Sequence, residues 1–324
     1  MSKVAYGMTL SSEEHPPGRL VDIAAMAEEH GFDFVSISDH YHPWVDEQGH
    51  SPFVWSVLGA IAERTSTIQV AVGVTCPTVR IHPAILAQAT ATCGQLFEGR
   101  FIWGVGSGEA LNEHILGDRW PPADLRLEML EEAVEVVREL WGGQRVTHRG
   151  TYFTVENAQI YDPPDPAPPI IVSAFGPQAM QLAARIGDGL WVSGADADTV
   201  AQWRDAGGTG PVYAQMTICW ARDRDEAIAT AHRIWPNTGV PGQLSQDLPT
   251  PAHFEQASSV VTKEQIAESV SCGPDPSPVV DKIGEMVAAG IDHVYLHQIG
   301  PDQEGFGRFW TDQVAPQLGG ASDG

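Results

Sequence analysis

The chain has 324 residues, 43% of them hydrophobic and 19% charged, enough apolar material for one large buried core or two ordinary ones. Its 18 basic residues stand against 42 acidic ones, a formal charge of −24, and the only lysines are Lys3, Lys263 and Lys282. A surface this negative repels phosphate backbones and anionic lipid, which excludes nucleic acid and membrane surfaces as partners.

The start, MSKVAYGMTL, has no basic region followed by an apolar run, and no stretch approaches the roughly 18 apolar residues of a membrane span. Cys76, Cys93, Cys219 and Cys272 lie far apart, with no C-x-x-C pair. The expectation is free thiols in a reducing cytoplasm, without a disulfide framework or a zinc site.

In chain order, short apolar runs alternate with segments of helical period. Strand-like Val4–Met8 precedes a helical pattern over Pro17–His30 that stops at Gly31. Phe34–Ser38 precedes Pro52–Arg64, Gln69–Val74 precedes His82–Phe97, and Phe101–Val105 precedes the Glu- and Leu-rich Asp124–Trp141. Ile170–Ser173 leads into Pro177–Ile186, Gly189–Val192 into Asp198–Asp205, and Val212–Cys219 into Arg224–Ile234. A helix at Ser277–Ala289, a strand at His293–Gln298 and a terminal helix at Phe306–Leu318 finish the chain.

Eight near-continuous apolar strands, almost every one followed by a helix, suit a parallel sheet covered on both faces. The number favours an α/β fold of the closed (β/α)8 TIM-barrel type over an open Rossmann sheet. We read residues 1–324 as one barrel domain with insertions near 107–122, 142–169 and 236–261 around the mouth. Gly142–Pro169 reads as a hairpin ending in PPDPAPP, and Pro236–Val261 as a long lid.

Barrel chemistry sits on the loops at the C-terminal ends of strands. After the second strand comes Asp39-His40-Tyr41-His42-Pro43-Trp44, an ionisable cluster with aromatics that suits proton transfer beside a flat ligand. Asp39, His40 and His42 also allow a metal reading, but no second ligand set accompanies them, and His42 alone reads as packing. After the fourth strand comes Gly104-Val105-Gly106-Ser107-Gly108-Glu109-Ala110-Leu111-Asn112-Glu113. Alternating glycines let backbone approach a ligand, although a plain tight turn explains them equally, and the G-x-G-x-G spacing is not the dinucleotide fingerprint. Glu109 beside this backbone is a candidate acid or base. Thr75-Cys76-Pro77 leaves the third strand. Phe175-Gly176-Pro177-Gln178-Ala179 opens a helix whose free N–H groups form an anion site or an ordinary capped turn. His293 and His297 read as core or rim residues.

Taken together, SDHYHPW, GVGSGEALNE, AFGPQA and GIDHVYLHQIGPDQEGF resemble the luciferase-like β/α-barrel oxidoreductases that use the deazaflavin coenzyme F420, in the branch of the glucose-6-phosphate dehydrogenases. The resemblance covers nearly the whole chain and is weakest over Ala195–Val261. It implies F420 across the barrel mouth, lined by Asp39, Cys76, Ser107, Gly108, Asn112, Phe175, Gly176, Gln178 and Ala179. It also implies a non-prolyl cis peptide at Gly73–Val74 beside the cofactor. His40, Trp44 and Glu109 match the catalytic residues: His40 for the substrate hydroxyl proton, Glu109 for the proton at the deazaflavin, Trp44 as a wall against water. A homodimer and a small-molecule substrate are the family expectation.

The chain departs from the sugar-phosphate pattern on the substrate side, where Ser193, Asp196 and Glu268 are expected to line the pocket. Asp196 and Glu268 stand where the dehydrogenase carries phosphate-gripping lysines, and two carboxylates there repel a dianion. The expected activity is therefore hydride transfer between F420 and an alcohol/carbonyl pair without phosphate. The alternatives are a sugar-6-phosphate dehydrogenase, an FMN-dependent luciferase-like monooxygenase, and a non-catalytic F420 carrier. The DHxHPW and GEALNE pair argues against the FMN enzyme, and the presence of both His40 and Glu109 against the carrier.

Overall fold

The computed structural model describes residues 4–194, 197–240 and 242–319. Its strands are β1 (Ala5–Leu10), β2 (Phe34–Ile37), β3 (Gln69–Thr75), β4 (Phe101–Val105), β5 (Val146–Arg149), β6 (Thr154–Ala158), β7 (Ile170–Ser173), β8 (Gly189–Ser193), β9 (Val212–Cys219), β10 (Ser271–Cys272) and β11 (His293–Gln298). Parallel pairing runs β9-β11-β1-β2-β3-β4-β7-β8, and β8 pairs back onto β9. The sheet closes on itself, and the eight expected strands are the eight staves of the barrel. β10 is an addition that the sequence pattern does not reveal. It pairs with Ile218 and Cys219, on the edge of β9 beyond the point where β8 stops. β5 and β6 form the antiparallel hairpin expected between residues 142 and 169.

The eight staves form because their side chains are largely apolar on both faces. Phe34, Ala71, Ile102, Ile171, Trp191, Tyr213 and Tyr295, one from each of seven staves, pack together as a single cluster. The eighth stave contributes Gly7, where a Cβ would lie 2.5 Å from the Phe34 ring. A missing side chain on one strand is thus filled by a large ring on the next, as close packing inside a small barrel requires. The outward faces meet helices α1 (Pro17–Glu29), α2 (Val54–Arg64), α3 (Pro83–Phe97) and the helices that follow in the main core.

A one-turn helix, α4 (Ala110–Glu113), follows β4, and α5 (Ala123–Trp141) and α6 (Pro177–Ile186) flank β7. The expected C-terminal helix starts earlier, at Gln303, because Asp302 caps Gly305 N–H. It then widens into a π turn over Trp310–Val314. Pro316 lies just beyond, and its missing N–H and bulky ring break the regular ladder there.

Candidate active site

All eight staves point their C-terminal ends the same way, and the ionisable loops gather there. His40 lies between two carboxylates. Its Nε2 is 3.4 Å from Glu109 Oε1, and its Nδ1 is 3.4 Å from Glu13 Oε1. Nδ1 also lies 3.2 Å from the carbonyl of His42. Two acceptors at Nδ1 against one at Nε2 favour Nδ1 as the donor of the ring, with Nε2 on the side facing Glu109. Glu13 is held in turn by Ser38 Oγ and Ser11 Oγ, which donate to Oε2 at 2.7 and 3.1 Å. Sequence reading missed Glu13. The signal available was its place just past the C-terminal end of β1.

Asn112 sets Glu109. Its Nδ2 donates to Glu109 Oε1 at 2.6 Å, and its Oδ1 accepts the Tyr41 and His42 N–H groups at 2.8 and 3.0 Å. The amide thereby ties the loop after β2 to α4, with its own side chain buried. The Trp44 ring lies 4.9 Å from the His40 ring, so the pair seen in the sequence is a contact in space. Beneath, Asp39 is buried, accepts Thr75 Oγ1 at 3.0 Å and pairs with Arg80 at 2.9 Å. The same guanidinium reaches Glu113 at 3.4 Å. Burial lifts the Glu113 carboxyl to about 7, against the pull of Arg80. Arg80 was also missed, because it belongs to no local pattern, and Glu113, the last residue of GVGSGEALNE, was given no role.

The expected cofactor side lies on the neighbouring strands. The Gly73–Val74 peptide is cis and non-prolyl, where the resemblance places it. Gly108 has φ +77°, and a Cβ on it would sit 2.5 Å from Cys76 Sγ, so glycine is needed for both conformation and space. Cys76 is buried, bonded to Thr78 Oγ1 at 2.9 Å, and burial together with Glu113 pushes its thiol up, which keeps it neutral. Ser107 is half-buried on the same loop. Phe175 presents an exposed ring, and Gly176 begins α6 with no capping side chain, open space around its Cα, and Gln178 and Ala179 in the first turn. A flat aromatic ligand with a phosphate fits this arrangement. The exposed ring and close glycine backbone suit the ring system, and the uncapped helix start suits the anion.

Ser193 is exposed at the end of β8, and Asp196 lies outside the described residues. Glu268 is exposed on a helix spanning Lys263–Ser269, with no hydrogen bond or ion pair joining it to His40 or Glu109. His42 packs, its Nδ1 donating to the Leu111 carbonyl at 2.9 Å. His297 is a buried rim residue 3.3 Å from Glu14, and His293 stacks on Tyr213 at the opposite end of the barrel. Among the described residues no group of three or more His, Cys, Asp or Glu is arranged to hold a metal. A cavity of about 580 Å³ between Arg138, Trp141, Pro169 and Asp188 opens beside the N-terminal end of β7. Arg138 and Asp188 form an exposed ion pair on its wall, and it shares no residue with the His40 cluster.

Comparison with known proteins gives the family and the fold. The F420-dependent glucose-6-phosphate dehydrogenase of Microbacterium testaceum is 35% identical, over 97% of this chain and 97% of its own. That of Segniliparus rotundus is 37% identical, over 97% and 98%. Among solved structures, an F420-dependent secondary alcohol dehydrogenase in complex with an F420-acetone adduct superposes with a TM-score of 0.90 at 30% identity, covering 98% of this chain and 99% of that one. The coenzyme F420 dependent tetrahydromethanopterin reductase of Methanopyrus kandleri shares the fold, with a TM-score of 0.79 at 24% identity over 98% and 100% of the chains. The family model for luciferase-like monooxygenases matches residues 3–293, and the chain belongs to that family.

Proposed function

We propose that the protein is an F420-dependent oxidoreductase acting on the CH–OH group of a substrate that carries no phosphate. The observation that carries the reading is the line Glu13–His40–Glu109, with Trp44 against the imidazole, at the barrel mouth. Asp39, Val74, Cys76, Gly108, Phe175 and Gly176 would hold the cofactor. Bound F420 supplies or accepts a hydride at one ring carbon, with a proton at a ring nitrogen. The protein's part is positioning and proton handling. His40 Nε2 takes the hydroxyl proton of the alcohol while Glu13 steadies the charge that develops on the ring. Glu109, oriented by Asn112, holds the proton on the cofactor side, and Trp44 keeps water from the reacting pair.

Glu268 and Asp196, at positions where the sugar-phosphate pattern has lysines, support a neutral or cationic substrate, as does the likeness to a secondary alcohol dehydrogenase. No described helix is long and apolar enough to cross a membrane. Four free cysteines support a reducing cytoplasm, and exposed Phe53 and Ile85 near the starts of α2 and α3 support a homodimer, to be checked by light scattering. The deciding experiment is a panel of alcohols and sugars, each with and without phosphate, scored by loss of F420 absorbance. Unphosphorylated alcohols are expected to lead. Glucose 6-phosphate as the best substrate would overturn the substrate assignment, and FMN binding as tightly as F420 would overturn the cofactor.

A further inference from the structure

The segment over residues 236–261 rests on the site rather than on the main core. Its Val240, Leu248, Phe254 and Ala257 form a separate apolar cluster with Val45, Leu111 and Trp44. Phe254 is fully buried, carried on a helix spanning Pro251–Ser258, and its ring meets Trp44 edge-on at 5.0 Å and 78°. The Trp44 indole is thus flanked by Phe254 and by the His40 ring at 4.9 Å. Three polar ties bind the same stretch of chain. Trp44 N–H donates to Gln48 Oε1 at 2.8 Å, and Gln48 Nε2 donates to the Ile234 carbonyl at 3.0 Å, just before the segment begins. Asp46 N–H donates to Glu255 Oε1 at 3.2 Å, beside Phe254 itself. The segment therefore meets the Trp44 ring directly through Phe254, while Gln48 ties the Trp44 backbone to Ile234 at the root of the segment.

We infer that Phe254 is a positioning residue for Trp44 and that, through it, the 236–261 segment sets the width of the substrate space beside His40. An aromatic edge packed against an indole fixes its tilt, and a smaller side chain leaves room for the indole to swing back. The expected consequence is a change in size selectivity rather than a loss of chemistry. The inference rests on the reading of His40 and Trp44 given above.

The experiment compares Phe254→Ala and Phe254→Leu, each also combined with Trp44→Phe, using isopropanol and its longer secondary-alcohol homologues with F420. In Phe254→Ala the KM for isopropanol is expected to rise about tenfold, and the kcat/KM of a longer homologue relative to isopropanol to rise about tenfold, the scale of one methylene-sized change in a pocket. kcat should change less than about threefold, F420 affinity less than about twofold, and Phe254→Leu should restore most of both effects. In the cofactor-free protein, acrylamide quenching assigned to Trp44, taken as the difference from the Trp44→Phe counterpart, should rise in Phe254→Ala and recover in Phe254→Leu. Unchanged selectivity and unchanged Trp44 quenching in Phe254→Ala refute the inference. A uniform loss across all alcohols together with lost F420 binding also refutes it, because that is collapse of the segment rather than positioning. Should Trp44→Phe leave turnover unchanged, the role given to Trp44 fails. If the wild-type enzyme turns over only glucose 6-phosphate, the substrate reading fails while the quenching and the KM for that substrate still judge Phe254.

Discussion

Replacing Glu13 by glutamine tests the arrangement around His40 most directly. The change keeps volume and shape, and the amide oxygen still accepts the Ser11 and Ser38 hydroxyls. It removes the charge 3.4 Å from His40 Nδ1 and brings an NH2 donor against a nitrogen that must itself donate. The side chains are 11% and 3% exposed, so water screens the pair poorly. At an effective dielectric of about 20, a full unit of charge on the ring is worth about 5 kcal/mol to the carboxylate at this distance. With roughly half that charge developed at the transition state, about 2.5 kcal/mol is lost, on the order of 10²-fold in rate. Inversion of the tautomer adds to this, and a carboxylate-to-amide change behind a catalytic histidine reaches about 10⁴-fold elsewhere. Single-turnover F420 reduction should therefore slow by about 10²–10⁴-fold, with F420 affinity within several-fold of wild type by fluorescence titration. A Glu13→Gln enzyme within threefold of the wild-type rate, folded and binding F420, refutes the reasoning.

Glu109→Gln and His40→Ala should each lower turnover by about 10²–10⁴ while leaving F420 affinity within several-fold, because each removes a proton handler rather than a binding contact. A near-normal rate in the same single-turnover assay strikes that residue from the mechanism. Glu113 carries a raised carboxyl, so the folded state holds its proton between about 4.5 and about 7 where the unfolded state has lost it. Its contribution to stability is therefore present in acid and declines as pH rises through that window, and Glu113→Gln should flatten the fall of Tm measured there. Glu14→Gln turns one of the two carboxylate oxygens into an NH2 that faces a donor, Gly300 N–H or the His297 and Trp235 pair, and should cost about 1–3 kcal/mol of stability in denaturant unfolding. Turnover per folded Glu14→Gln molecule should stay within about threefold of wild type.

The barrel was legible because parallel staves buried on both faces leave unbroken apolar runs, and a closed sheet needs eight of them. Their ends were less so. β1 runs to Leu10, two residues past the expected Met8, because pairing with Ile37 of β2 extends it, and pairing partners do not show in a single run of sequence. α4 and β10 are shorter than any period that can be counted. Around the site, His40, Trp44 and Glu109 declared themselves as clustered chemistry at strand ends. Arg80 did not. It bridges Asp39 and Glu113, 41 and 33 residues away, and its role exists only once three strand exits meet. The cis peptide at Gly73–Val74 came from the resemblance alone, since nothing in the composition of a strand marks one bond.

The Glu13-Glu14 doublet shows most clearly what folding adds. In the sequence they are two equivalent acids after the first strand, and both are deeply buried in the fold. Glu14 is fully committed, its oxygens taking Gly300 N–H at 2.8 Å, His297 Nε2 at 3.3 Å and the Trp235 indole N–H. Burial would lift its carboxyl, and these bonds hold it below the usual range instead, so it stays charged as a tie between β11 and the root of the 236–261 segment. Glu13 has both hydroxyl donors on one oxygen and leaves the other turned to His40. An acid whose acceptor sites are all filled can only hold structure together. One with an oxygen facing an imidazole can answer a change of charge on that ring, and this difference in partners, invisible in two identical letters, supports a part in the chemistry for Glu13 and in the scaffold for Glu14.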